Sequence, residues 1–181
     1  WNKVTAELIG INQAARTTCV KPSGNASVLL KCASGIHGEH SPRYIRHVQM
    51  NKQTEVGRLF AERNPSMVEN SVWSDLDYVI GFPIEPVKGS IYKSDLLGVK
   101  QLEYVKSAQD NWIEHGTNKH LCVKPFLKHN VSNTITVDDW DEVTRYIYEN
   151  RYSLCGISLL SAAGDKAYPQ APFTEVLTAD E

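Results

Sequence analysis

Between two apolar runs, residues 20–30 read VKPSGNASVLL, and the proline, serine and glycine at the centre are residue types that can hold an anion. A glycine at position 24 is free to take a positive φ, and its missing side chain lets a ligand approach the backbone. The helix expected from Asn25 leaves its first N–H groups without internal partners and facing outward. A phosphate fits such a cradle. A helix dipole is worth about 0.3–1 kcal/mol per charge at an exposed site, so affinity would rest on several aligned N–H donors and on the Ser23 and Ser27 hydroxyls. Lys21 adds charge if strand geometry turns it toward the loop. The same residues also make an ordinary turn with Asn25 as a helix cap, and G-x-x-x-x-G-K-[ST] does not occur. Spacing alone leaves both readings open.

Other residue groups invite chemistry. His37-Gly-Glu-His40 has the residue types of a metal cluster, but a zinc site of the H-E-x-x-H kind needs a helix to bring both imidazoles to one face. Gly38 and Ser41-Pro42 predict a loop instead, so no metal site is expected. His37 and Glu39 either order the loop behind the phosphate candidate or sit at the surface. Arg43, Arg46, Lys52 and Arg58 concentrate positive charge that either attracts a polyanion or forms a solvated face. His129, Asn130, Ser132 and Asn133 are polar for a strand and face either a cavity or ordinary edge hydrogen bonds. Trp73, Trp112 and Trp140 fall at core-like positions and are assigned to packing. The four cysteines, Cys19, Cys32, Cys122 and Cys155, form no C-x-x-C pair, which predicts reduced thiols and a cytoplasmic setting; Cys155 is expected as a buried strand thiol.

The elements that must position these residues alternate between strand-like and helix-like, which predicts α/β architecture with largely parallel strands. Strands are expected at 16–21, 43–50, 78–84, 130–137 and 154–160. Helices are expected at 25–32, at 51–63 before Asn64-Pro65, and at 95–115, where Leu96, Val99, Leu102, Val105, Ala108 and Trp112 form one stripe between an Asp95 cap and Gly116. In the 130–137 strand, Val131, Asn133, Ile135 and Val137 share a face. Asp139 and Glu142 then have capping-box spacing, ahead of a helical face of Trp140, Val143 and Ile147.

The bulk properties bound the function. A chain of 181 residues, 41% hydrophobic and 22% charged, suits one globular domain with no internal boundary. No apolar run approaches the ~18 residues of a membrane span. A net charge of −2 supplies no overall field for a nucleic-acid backbone. The chain begins at Trp1 and ends in LTADE, and a piece of a longer protein is expected.

Continued to Met50, the loop region reads TTCVKPSGNASVLLKCASGIHGEHSPRYIRHVQM, and three further blocks follow in order: HNVSNTITVDDWDEV from His129, GISLL from Gly156 and GDKAYPQAPFTEV from Gly164. Together they resemble the ribonucleotide reductase large chain, most closely the adenosylcobalamin-dependent (class II) monomeric type, in which a K-P-S-G-T-x-S loop precedes S-G-I-H and a P-R-Y-I-R-like stretch. The resemblance implies the C-terminal part of a ten-stranded α/β barrel that reduces ribonucleoside triphosphates by a thiyl-radical mechanism, with adenosylcobalamin as cofactor. It implies substrate phosphates on Pro22, Ser23, Gly24, Asn25 and Ala26, with Ser27, Lys21 and His37 as supporting residues. Asn25 departs from the family's threonine, exchanging a hydroxyl for an amide.

The resemblance further implies a thioredoxin-type reductant, dNTP effectors acting through regions outside this chain, and catalytic cysteines outside it as well. Class I relatives relay a radical through two adjacent tyrosines, and LKHNVSNT has none here. A cobalamin enzyme makes its radical on the spot, so class II is favoured. Class I, class III and a non-catalytic nucleotide-binding module are the alternatives.

Overall fold

The computed structural model describes residues 1–124, 126–163 and 168–177, with Asn25 and Val28 described by backbone alone. In chain order the elements are α1 (Asn2–Ile9), β1 (Cys19–Val20), α2 (Asn25–Leu30), β2 (Tyr44–Asn51), α3 (Glu55–Arg63), β3 (Val68–Asn70), β4 (Asp77–Ile84), α4 (Val99–Ala108), α5 (Glu114–Gly116), β5 (Asn130–Val131), β6 (Thr134–Val137), α6 (Trp140–Glu149), β7 (Ser158–Ser161) and β8 (Phe173–Glu175). They gather into two compact units, one of residues 1–37 and 95–162, the other of residues 38–94 and 163–181.

The first unit has the expected parallel pairing. β1 runs parallel to β5, with Cys19 opposite Asn130 and Val20 opposite Val131. β6 runs parallel to β7, from Thr134 opposite Ser158 to Val137 opposite Ser161. The single strand expected over 130–137 is thus two, and the chain changes partner at Ser132-Asn133. The alternation survives the break: Val131, Asn133, Ile135 and Val137 are all buried. With Leu102, Val105, Ile113 and Val143, the three apolar members of that set form one core. Burying a side chain of this size is worth about 1.5–3 kcal/mol.

The helices over this core differ from expectation at their ends. α4 begins after Gly98, not at Asp95. Gly98 has φ 50, and a Cβ there would lie 2.6 Å from the Asp138 Oδ1, so the start is fixed where only glycine fits. A π-helical turn, Gln109–Ile113, then continues α4 into α5. Its wider turn moves the inward position from Trp112 to Ile113, and Trp112 is 73% exposed. α6 keeps its predicted cap, because the Glu142 N–H donates to Asp139 Oδ1 at 2.9 Å. Its inward face begins at Val143, and Trp140, the first helical residue, is 48% exposed.

The second unit overturns the parallel expectation. Its sheet has the order β3-β4-β2-β8, and each pairing is antiparallel. β2 lies against β4 over its whole length, with Val48 opposite Ile80. α3 starts after Thr54, whose hydroxyl accepts the Gly57 N–H at 3.1 Å, so residues 51–54 are strand end and cap. Trp73 is 65% exposed; its ring meets Tyr168 edge-on at 6.2 Å. The three tryptophans therefore lie outside the core their sequence positions predicted: Trp73 in a bend, Trp140 at the start of α6, and Trp112 rotated outward by the π-turn.

Candidate functional site

The loop between β1 and α2 is built from its carbonyls. Val20 ends β1 and accepts the Ser132 N–H at 2.8 Å, which roots the loop where the strand at 130–137 breaks. Beyond it, the Ser27 hydroxyl donates back to the Gly24 carbonyl at 2.7 Å and the Ser23 carbonyl at 3.2 Å. Ser27 is 2% exposed. Its proton is committed to the loop's own backbone, so Ser27 shapes the turn and is not a free donor for a ligand. A second hydroxyl, on Ser34, also donates to the Ser23 carbonyl.

Ser34 belongs to a turn that backs the loop. Gly35 there has φ 66, and a Cβ on it would lie 3.1 Å from the Pro22 Cα. His37 closes the turn: its N–H reaches the Ser34 carbonyl at 3.2 Å and its Nδ1 lies 3.1 Å from the same oxygen. A carbonyl only accepts, so Nδ1 carries the proton. Sequence reasoning passed over Ser34 and Gly35, although both lie in the quoted S-G-I-H block.

Gly24 differs from expectation. Among the described residues the positive-φ glycines are Gly10, Gly35, Gly89 and Gly98; the left-handed conformation sits behind the loop, at Gly35. What matters at Gly24 is space, because a Cβ there would meet nothing within 4 Å. α2 begins at Asn25 and ends at Leu30, two residues early, because Lys31 turns to φ 53. The first-turn N–H groups at Asn25 and Ala26 have no acceptor within their own helix. Gly24, Ala26 and Lys21 are exposed, and Pro22 and Ser23 half-buried; the Asn25 side chain lies outside the described residues.

The polar strand residues are engaged. His129 Nδ1 lies 2.7 Å from the Thr18 carbonyl and 2.9 Å from its hydroxyl. Asn130 Oδ1 accepts the Gly156 N–H at 2.8 Å. Asn133 is buried, and its Oδ1 accepts from Gln101 Nε2 at 3.4 Å. Cys155 is exposed and precedes β7, contrary to the buried strand thiol expected.

In the second unit, Glu39 accepts the Tyr44 hydroxyl at 2.9 Å, and His40 stacks on Phe173 at 5.3 Å. Burial pushes the Tyr44 phenol up to about 12, aided by its bond to Glu39. Burial also lowers His40 below the usual imidazole range, with the Lys93 charge as the second cause. Of the positive residues, Arg46 lies 5.4 Å over the Phe173 ring. Lys52 donates to the Asp75 carbonyl at 2.8 Å. Among the described residues no group of three or more His, Cys, Asp or Glu side chains is placed to hold a metal, and no helix is long and apolar enough to cross a membrane.

No family model matches the chain. It is 24% identical over 173 residues to the "Probable adenosylcobalamin-dependent ribonucleoside-triphosphate reductase" of Dictyostelium discoideum, covering 94% of this chain and 21% of that protein. It is also 24% identical over 179 residues to the adenosylcobalamin-dependent ribonucleoside-triphosphate reductase of Euglena gracilis, covering 97% of this chain and 22% of that one. Both relatives are adenosylcobalamin-dependent ribonucleoside-triphosphate reductases by name, and the chain is similar to them along nearly its whole length. Its fold matches the crystal structure of a B-12 dependent (class II) ribonucleotide reductase with a TM-score of 0.60 at 17% identity, over 97% of this chain and 23% of that one. The chain thus spans about a fifth of the length of the class II reductases it matches. Of the four blocks, GDKAYPQAPFTEV begins with residues 164–167, which lie outside the described residues. The other three supply the loop with its backing turn, the strand break with α6, and the start of β7.

Proposed function

We propose that this chain is the substrate-phosphate segment of an adenosylcobalamin-dependent ribonucleoside-triphosphate reductase, in the C-terminal part of a ten-stranded α/β catalytic barrel. The observation that carries the reading is the loop itself. Two serine hydroxyls and a close-packed glycine fix its backbone from behind, while Gly24 is open in front. The names of the relatives and the parallel β1-β5 and β6-β7 pairs support it.

In this reading Pro22, Ser23, Gly24, Asn25 and Ala26 bind the phosphates. The N–H groups at the start of α2 are the donors, and the Ser23 hydroxyl joins them. Ser27 and His37 hold the loop's shape, and Lys21, exposed beside it, adds charge. A loop fixed before the ligand arrives loses little conformational freedom on binding.

No residue of this chain is assigned to the cofactor. Adenosylcobalamin would supply the initiating radical. The radical and redox cysteines, the dNTP effector sites and the contact with a thioredoxin-type reductant belong to regions outside this chain, and the setting is cytoplasmic. The absence of tyrosine from LKHNVSNT favours class II over a class I reductase.

Replacing Gly24 by valine in the full-length protein tests the reading. A Cβ there meets nothing within 4 Å, so calorimetric titration should show triphosphate affinity falling at least about tenfold, or about 1.4 kcal/mol, with the thermal midpoint unchanged. Unchanged affinity would remove the assignment.

A further inference from the structure

Deep in the first unit, Gln101 on α4 is 3% exposed, and its amide joins two segments distant in sequence. Gln101 Nε2 donates to the Ile36 carbonyl at 2.8 Å and to Asn133 Oδ1 at 3.4 Å. The orientation of the whole relay follows from one acceptor. The Ile36 carbonyl can only accept, so Gln101 must present its nitrogen; that nitrogen has two hydrogens, so Asn133 must present its oxygen. Both donors of Gln101 are then used. Asn133 Nδ2 is left buried without a protein partner among the described residues, a cost an apolar residue at position 133 would avoid.

The two ends of the relay are the two supports of the loop. Ile36 follows Gly35, whose backbone abuts Pro22, and Ser34, whose hydroxyl holds the Ser23 carbonyl. Asn133 follows Ser132, whose N–H holds the Val20 carbonyl at the loop's root. Gln101 therefore ties the turn behind the loop to the strand break beneath it.

We propose that Gln101 is a positioning residue for the phosphate loop, acting through Ile36 and Asn133 without touching substrate. The proposal rests on the phosphate-loop reading above. A change at Gln101 displaces the backing turn, and Ser23 and Pro22 move with it. Phosphate binding weakens while the chemistry, carried by residues elsewhere, does not.

The test uses the full-length protein with two variants. Gln101→Met removes both donors at similar volume, and Gln101→Glu keeps the shape but, ionised, has no donor. KM and kcat are measured for a ribonucleoside triphosphate, and inorganic tripolyphosphate is used as a competing, phosphate-only probe. KM should rise about tenfold in both variants, about 1.4 kcal/mol. Inhibition by tripolyphosphate should weaken by the same factor, with kcat within about twofold of the parent.

Unchanged KM and inhibition, a fall in kcat with KM held, or failure of both variants to fold would each overturn the positioning role. Gly24→Val separates the two readings. If it weakens tripolyphosphate inhibition and the Gln101 variants do not, only the role of Gln101 has failed. If it has no effect, or tripolyphosphate does not compete in the parent protein, the phosphate-loop reading itself has failed.

Discussion

Gly35 packs so closely behind Pro22 that a Cβ on Gly35 would come within 3.1 Å of the Pro22 Cα, and its φ of 66 is one that other residues adopt at a cost. The turn after α2 and the loop before it are thereby one piece of structure. Gly35→Ala should lower stability by about 1–2 kcal/mol from the left-handed backbone alone, and the loop must also shift to relieve the contact. A lower thermal midpoint with weaker triphosphate binding is the expected pair of results. A lower midpoint with unaltered binding would mean that the turn does not position the loop.

Ser27 and Ser34 converge on the Ser23 carbonyl. Either serine replaced by alanine should cost about 1 kcal/mol, with Ser27→Ala the larger change because the Gly24 carbonyl loses its 2.7 Å donor as well. The double variant should be worse than the sum, since Ser23 then loses both hydroxyls. A double-mutant cycle of thermal stability measures this. Strict additivity would show that the two bonds do not act on one group.

Tyr44 provides a pH signature in the second unit. Burial first, then the bond to Glu39, raises its phenol from 10.0 to about 12 in the folded chain. A group with a raised folded pKa contributes stability that is fully present below the unfolded value and is lost as pH rises through the folded one. Thermal midpoints should therefore fall more steeply between about pH 10 and pH 12 in the parent than in Tyr44→Phe. Equal slopes would show that Tyr44 ionises as readily folded as unfolded.

Much of the first unit was legible because its signals are local. The alternation of Val131, Asn133, Ile135 and Val137 gave the buried face, and Asp139 with Glu142 gave the start of α6. Asn133 stood out as the polar member of that face, but nothing in the sequence named Gln101 as its partner. The antiparallel sheet was not legible, because period-two alternation gives a strand's faces and says nothing of its direction. Pairing Tyr44–Asn51 with Asp77–Ile84 and with Phe173–Glu175 needs contacts across long stretches of chain. The π-turn was equally silent, and it put Trp112 outside. At the site, PSGNAS marked the loop, but its supports Ser34 and Gly35 act through a backbone carbonyl and a close approach that spacing does not encode.

The most direct measurement is turnover of ribonucleoside triphosphates by the full-length protein, with a thioredoxin-type reductant, in the presence and absence of adenosylcobalamin. The account predicts deoxyribonucleotide formation that requires the cofactor and that falls sharply, through KM, in Gly24→Val. Reduction that proceeds without added adenosylcobalamin, or that is indifferent to Gly24→Val, would contradict it.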